Sequence, residues 1–337
     1  MYKLKYFLKK SLRLRFFRKA IKALFNAKEM RRFMNLDPTI LKVDNYGGSA
    51  KPNKFIYWIR QDDTGNGFFA LFNRTLRYLA YANHFHLEPI VQYGKHGLNY
   101  DSSVKRTHNP FEYYFLQTSQ NKVENVMENK HVIVSRHVDS QLLFPSTSKA
   151  TEYLISEEEI EHLGSIYKKY ISLNNETMSY INGLFLETVN SNSVLGVHAR
   201  GTDFKKYNFK HPKFIPEEDY FKEIDILMEK LKYDYIFLAT DDSAILSKFR
   251  IKYRDILIYY ENNFRADQKI NLAAIPNSSN GHKFKSGLEV FIDAFTLSKC
   301  NGLIAGLSQV SIAARIMKAS TDQKYSDLII LNRGFHN

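Results

Sequence analysis

The chain is built from short apolar runs that end in polar, glycine-bearing tips. Residues 55–59 are apolar and predict a buried strand. The stretch QDDTGNG at 61–67 predicts a turn-forming loop, and Leu71, Leu76, Leu79 and Ala82 then recur at helical spacing over 68–85. Residues 89–93 predict the next strand. A strand, glycine loop, helix and strand in this order open a doubly wound domain. Residues 94–150 are polar and aromatic with poor periodicity. Their histidines, His96, His108, His131 and His137, match no metal-ligand spacing, so loops, strands and an acceptor-facing surface are expected there. Two helices are predicted over 157–170 and 174–189.

From about Ser191 the same grammar repeats. Val194, Leu195 and Val197 predict a buried strand whose end carries His198, Arg200, Thr202 and Asp203. A strand over 235–239 ends in Thr240, Asp241 and Asp242, and Asp242 is placed to cap a helix over 243–253. A short strand follows at 256–260. The next helix, 288–300, turns Val290, Phe291, Ala294, Phe295 and Leu297 to the core and stops at Asn301-Gly302. Residues 303–305 predict a strand, 306–309 a tip and 310–318 a helix. Small residues at 305 and 306, with Ser308 at the helix start, make an anion cradle, because the free amides and the positive helix end point outwards there.

Charge changes the picture once it is located. The net +13 is concentrated in residues 1–32, where twelve Lys or Arg face the single acid Glu29. That arm holds +11 and leaves +2 for the other 305 residues. Its charges interrupt the apolar residues too often for a signal-peptide core. A basic arm rich in Phe and Leu suits an anionic membrane surface; the plainer alternative is a helix packed on its own protein. Nucleic acid is the weaker partner, since the body shows no basic and aromatic groove pattern. With 44% hydrophobic residues the chain can bury real cores, and with one cysteine, Cys300, it can form no intrachain disulfide. The single cysteine suits a reducing cytosol and the arm a membrane surface, so a cytoplasmic protein peripheral on the inner face of a membrane is expected. No run of eighteen apolar residues occurs.

Three strand ends (198–203, 240–242 and 306–309) and the helix bearing Asp293 are expected to converge on one crevice. Arg200 is a natural phosphate clamp, because its planar fork donates two parallel charge-assisted hydrogen bonds. Each feature also has a plain structural role: an ion pair for His198 and Arg200, a helix cap for Asp242, another for Ser308. Asp293 stands out because it lies on an apolar helix, where a carboxylate needs a partner such as guanine, ribose or His198.

Residues 194–320 resemble the GDP-fucose-dependent fucosyltransferases of the α1,6 and protein O-fucosyl superfamily. The similarity lies in GVHARGTD at 196–203, HP…EEDYF at 211–221, YIFLATDD at 235–242 and the run LEVFIDAFTLSKCNGLIAGLSQVSIAARIM at 288–317. Gly65, Asn66 and Gly67 are loosely similar to the family's N-terminal donor loop. The resemblance implies an α/β fold of the GT-B type, with two Rossmann-like doubly wound domains facing a cleft. Residues 51–190 would form the acceptor domain and 191–337 the GDP-sugar domain, after a basic arm and linker at 1–50. It implies inverting, metal-independent transfer of fucose from GDP-fucose to a glycan or glycolipid hydroxyl, with no cofactor.

By the same resemblance Arg200, Ser308 and Gln309 would hold phosphate. His198 and Asp293 would read the guanine and its surroundings, and Thr240, Asp241 and Asp242 would line the nucleotide pocket. Lys205 or Lys206 would help neutralise the leaving diphosphate. One departure stands out: Asn208 occupies the register where α1,6 relatives carry an acid. The base is therefore open, with Asp203, Asp62 and Asp63 as candidates. The alternatives are a same-fold transferase using another nucleotide sugar, a non-catalytic GDP-sugar-binding protein and a basic-arm nucleic-acid binder.

Overall fold

The computed structural model describes residues 37–44, 46, 48–50, 55–62, 65–95, 97–144, 152–185, 187–205, 211–231, 233–266 and 281–336. The basic arm at 1–32, Asp63, Lys206 and Asn208 lie outside the described residues.

Two sheets carry the fold. In the first, β2 (Ile56–Gln61) pairs in parallel with β3 (Glu88–Tyr93) and with β4 (Val132–Val134). The short β1 (Val43–Asp44) runs antiparallel on β4. Helix α1 (Phe68–His84) makes the crossover from β2 to β3. It buries Leu71, Leu76, Leu79 and Ala82, as the helical spacing predicts, with Phe68, Phe69 and Phe72 beside them. Its N-cap is Gly67, which has no side chain to satisfy the first amides.

The second sheet is all parallel, in the order β7-β6-β5-β8-β9. Its strands are β5 (Val194–His198), β6 (Tyr235–Ala239), β7 (Leu257–Ile258), β8 (Gly302–Gly306) and β9 (Asp327–Leu331). Strand side chains alternate between two cores. Leu195, Val197, Ile236, Leu238 and Ile304 pack with α5 (Glu217–Leu231) and α6 (Ser243–Tyr253). Val194, Phe237, Ala239, Leu303 and Ala305 pack with α7 (His282–Lys299) and α8 (Gln309–Ala319). Helices cover both faces, so the sheet is doubly wound, and strand order reverses between β5 and β8. Ligands of open α/β sheets bind at the carboxyl ends of the strands flanking such a reversal.

The core under α7 and α8 continues without a break to Tyr57 and Val91 of the first sheet, to Phe72 of α1 and to Leu163 of α2 (Glu157–Tyr170). Polar ties cross the same boundary. The Asp101 carboxylate accepts from the amides of Lys283 and Phe284, both at 3.1 Å, and so caps α7 from the other half of the chain. Asn73 of α1 donates to the Gln309 carbonyl and to its side-chain Oε1, both at 2.9 Å.

Several elements depart from the sequence expectation. The helix expected over 174–189 is two, α3 (Asn175–Leu184) and α4 (Glu187–Ser191), divided where Phe185 leaves helical geometry. Helix α7 begins six residues earlier than its periodicity suggests, at His282, because Asp101 supplies the cap. Helix α5 and strands β1 and β9 had no counterpart in the sequence pattern, and β4 is one of the strands expected without bounds over 94–150.

Candidate functional site at the switch point

His198 closes β5 and pairs in register with Ala239 and Ala305, which puts it in the middle of the sheet's carboxyl edge. Its ring is 4% exposed, and Nδ1 lies 3.2 Å from the Ser308 hydroxyl. Burial, helped by the nearby Arg200 cation, lowers its pKa from 6.5 to about 4. At neutral pH it is an uncharged imidazole bridging the tips of β5 and β8.

Arg200 stands two residues on. Its Nη1 is 2.8 Å from Asp241 Oδ2, and its guanidinium lies 5.6 Å from the ring centroid of Phe204. The side chain keeps 24% of its surface open. Asp241 also accepts from the Gly201 amide at 2.9 Å and the Thr202 hydroxyl at 2.6 Å, so one carboxylate at the tip of β6 sets the whole turn after β5. Asp242 does complementary work underneath. It caps α6 by accepting from Ala244 N and Ile245 N, takes the Thr202 amide at 3.2 Å, and pairs with Lys205. Burial opposes its charge, but Lys205 and these amides still hold its pKa below the usual carboxylate range. Asp242 is 3% exposed, and Thr240, 5% exposed, accepts from its amide at 3.3 Å.

Gly201 is required by this packing, because a Cβ there would overlap the Asp242 side chain. Thr202 follows with φ +30° and is fully buried. Asp203 occupies the 3-10 turn Thr202–Lys205, and its side chain lies outside the described residues.

On the other side of the strand-order reversal, α8 starts directly after the end of β8. Ser308 accepts from the Ser311 amide at 3.0 Å in a reciprocal capping box. Gln309 is turned towards the first sheet: its Oε1 accepts from Asn73, and its Nε2 lies 3.4 Å from the Glu152 carbonyl. The Tyr220 hydroxyl sits against the backbone of Gly306 and Arg200 and locks the two strand ends together.

Asp293, on α7, is partly buried and accepts from Asn263 Nδ2 at 3.0 Å. Burial raises its pKa to about 8, despite the opposing Arg265 cation and Asn263 hydrogen bond. Arg265 donates to the carbonyls of Asn263 and Tyr260, and Glu289 accepts from the Phe264 amide. This polar group of Asn263, Arg265 and Glu289 escaped the sequence reading. Its one signal was the demand of Asp293 for a partner.

The glycine loop opens α1. A Cβ at Gly65 or at Gly67 would meet no atom within 4 Å, and Gly67 has φ −68°. Neither steric crowding nor backbone conformation of the protein alone calls for glycine there. Asn66 accepts from Asn99 Nδ2 at 3.2 Å through its carbonyl. Asp62 pairs with Arg60 at 2.7 Å. Among the described residues no group of three or more His, Cys, Asp or Glu could hold a metal ion.

No family model matches the chain, and no curated protein matches it. Among solved structures it is similar to the α1,6-fucosyltransferase NodZ soaked with GDP-fucose. Identity is 15% over 79% of this chain and 93% of that one, with a TM-score of 0.45. NodZ from Bradyrhizobium gives the same identity and coverage with a TM-score of 0.42. It is also similar to POFUT1 in complex with GDP-fucose, at 10% identity over 85% of this chain and 99% of that one, with a TM-score of 0.45.

Proposed function

We propose that the protein is an inverting, metal-independent glycosyltransferase of the GT-B type that moves fucose from GDP-fucose to a glycan hydroxyl. The observation that carries this reading is Arg200. It follows β5 and is fixed by Asp241 at 2.8 Å, while α8 begins just beyond the end of β8, the strand paired with β5 across the strand-order reversal. The resemblance of residues 194–320 to GDP-fucose-dependent transferases supports the choice of donor.

In this reading the diphosphate lies between Arg200 and the first turn of α8. As the sugar–phosphate bond breaks, negative charge grows on the leaving oxygen. A guanidinium already oriented by a carboxylate meets that charge without reorganising, which is where electrostatic catalysis gains most. Fixed cations and a helix terminus then do what a divalent metal does elsewhere. The uncharged His198 adds no further positive charge and orients Ser308. Asp293, with Asn263 and Arg265 behind it, suits the ring donors of guanine. The open faces of Gly65 and Gly67 leave room for a phosphate or sugar to approach the backbone.

The test is nucleotide release from a panel of GDP- and UDP-sugars by wild type and Arg200→Ala, with and without EDTA. EDTA-resistant GDP release from GDP-fucose is expected, reduced on the order of 10²-fold or more in the variant. Release from another donor would keep the fold and discard fucose. GDP binding without turnover of any donor, in the presence of a lipid-linked glycan extract, would favour a non-catalytic binding protein.

The acceptor proposed is a bacterial surface-glycan or lipid-linked oligosaccharide precursor, met by a cytoplasmic enzyme held peripherally on the membrane. The +11 of residues 1–32 motivates it, since each Lys or Arg near an anionic surface contributes about 1 kcal/mol. Removing residues 1–32 should abolish binding to anionic liposomes and spare donor turnover. Retained liposome binding would discard the membrane role.

A further inference from the structure

The transferase reading leaves the acceptor proton without a destination, and the HP motif at 211–212 without a role. The structure puts the two together. The Phe204 ring that lies against Arg200 meets the His211 ring edge-on, with centroids 6.4 Å apart and planes at 86°. On its other side His211 meets Tyr153, whose hydroxyl is 3.4 Å from Nδ1. The residue before Tyr153 is Glu152, whose carbonyl faces Gln309 Nε2 at 3.4 Å. His211 therefore lies one aromatic ring away from Arg200, and its partner Tyr153 follows directly on Glu152, whose carbonyl meets Gln309.

The backbone of His211 is fixed as well. Its carbonyl accepts from the His336 amide at 3.0 Å, Pro212 bridges to Phe335, and Lys213 N donates to the Gly334 carbonyl at 2.9 Å. Arg333 anchors that C-terminal segment to α5 through a two-pronged ion pair with Asp219, at 2.6 and 2.9 Å. The residue is partly buried, so it is held in place while part of its surface stays open. Among the described residues, the charged and titratable groups joined to it by contact or adjoining chain are Tyr153, Glu152, Lys213, His336 and, beyond the Phe204 ring, Arg200.

We propose that His211, oriented by Tyr153, is the general base that takes the acceptor's hydroxyl proton. This rests on the transferase reading above. In the tautomer with Nδ1–H donating to the Tyr153 hydroxyl oxygen, Nε2 carries the lone pair and accepts the proton. The acceptor oxygen forms its bond to the anomeric carbon, and the bond from that carbon to the β-phosphate oxygen breaks. The bonding pair leaves with GDP against Arg200 and the α8 N-terminus, and His211 then returns the proton to solvent. An imidazole suits the task because its ordinary pKa of about 6.5 lies close to working pH.

The test follows GDP release from GDP-fucose, with water as acceptor, in the full-length protein from pH 5 to 9. GDP affinity is measured alongside. Wild type should show an acidic limb centred between about pH 6 and 7. H211Q should lose on the order of 10²-fold or more of that turnover, and its limb, with GDP affinity unchanged. H211A should regain turnover on addition of imidazole, which a purely structural histidine would not allow. Y153F should move the limb while leaving GDP affinity alone. Wild-type turnover in H211Q overturns the proposal, and so does a limb near pH 4 that vanishes in E152Q. Wild type that binds GDP yet leaves GDP-fucose intact at every pH overturns the base and spares the donor site. Failure to bind GDP at all removes the transferase reading and this proposal together.

Discussion

Gly201→Ala is the sharpest test of how the Arg200 turn is built. A Cβ at position 201 would stand 2.7 Å from Asp242 Cγ and overlap the neighbouring Cβ and Oδ2. Either the turn or the aspartate has to move. Asp242 resists, because it caps α6 through two amides at 2.9 and 3.2 Å and also holds Thr202 N and Lys205. Overpacking costs about 1–3 kcal/mol and a weakened N-cap about 1 kcal/mol, so the loss should be roughly 2–4 kcal/mol. Unfolding entropy is about 2.1 cal/mol/K per residue. For 337 residues unfolding together, Tm should then fall by roughly 3–6 °C. The displaced turn carries Arg200 with it. Losing a charge-assisted hydrogen bond of about 1.5–3 kcal/mol weakens GDP binding roughly 10- to 100-fold. Thermal unfolding and calorimetric titration with GDP read both effects. A variant with wild-type Tm and GDP affinity would refute the argument that this glycine positions Arg200.

Gly67→Ala makes the opposite forecast: its Cβ enters open space, so Tm should hold while GDP-fucose affinity drops about tenfold, and an unchanged affinity would remove the loop from the donor site. Proton linkage gives a third prediction. His198 resists protonation in the folded state, so its contribution to stability is lost as pH falls from 6.5 to about 4. Asp293 keeps its proton in the folded state, so its contribution is lost as pH rises from 3.8 through about 8. The slopes cancel between about pH 4 and 6.5, and the Asp293 slope alone acts above that range. The free protein should lose about 2 kcal/mol from pH 6.5 to 8, read by urea titration, and Asp293→Asn should flatten the profile above pH 6.5 and uncover the His198 slope below it. A flat wild-type profile would contradict the assignment. If guanine donors hold Asp293 ionised, GDP binding at pH 7 should release on the order of one proton, measured by calorimetry in buffers of differing ionisation enthalpy.

What could be read along the chain was what neighbouring residues determine. Strands β5, β6 and β8 are apolar runs with abrupt polar ends, so both the elements and their tips were legible from local pattern. Features set by distant partners were not. The start of α7 depends on Asp101, more than 180 residues earlier in the chain. The surroundings of Asp293 depend on Asn263 and Arg265, which lie in an irregular stretch after β7 with no periodicity to mark them. Strand β9 is partly exposed along its whole length at the sheet edge, and its short apolar run gave no sign of where it would pair.

Asp241 and Asp242, neighbours just beyond β6, hold different sets of partners. Asp242 is 3% exposed, and its contacts with Thr202, Lys205 and the start of α6 account for its acidity and its burial. Asp241 turns the other way and gathers the Gly201 amide, the Thr202 hydroxyl and Arg200 onto one carboxylate. Arg200 is thereby oriented while a quarter of its side chain stays open. If the turn needed only stability, an ion pair buried on both sides or an apolar contact would serve at least as well. Holding a guanidinium through a carboxylate at the end of β6 instead fixes its direction before any ligand arrives. That preorganisation is what a leaving diphosphate requires, and it follows from the paired aspartates rather than from Arg200 alone.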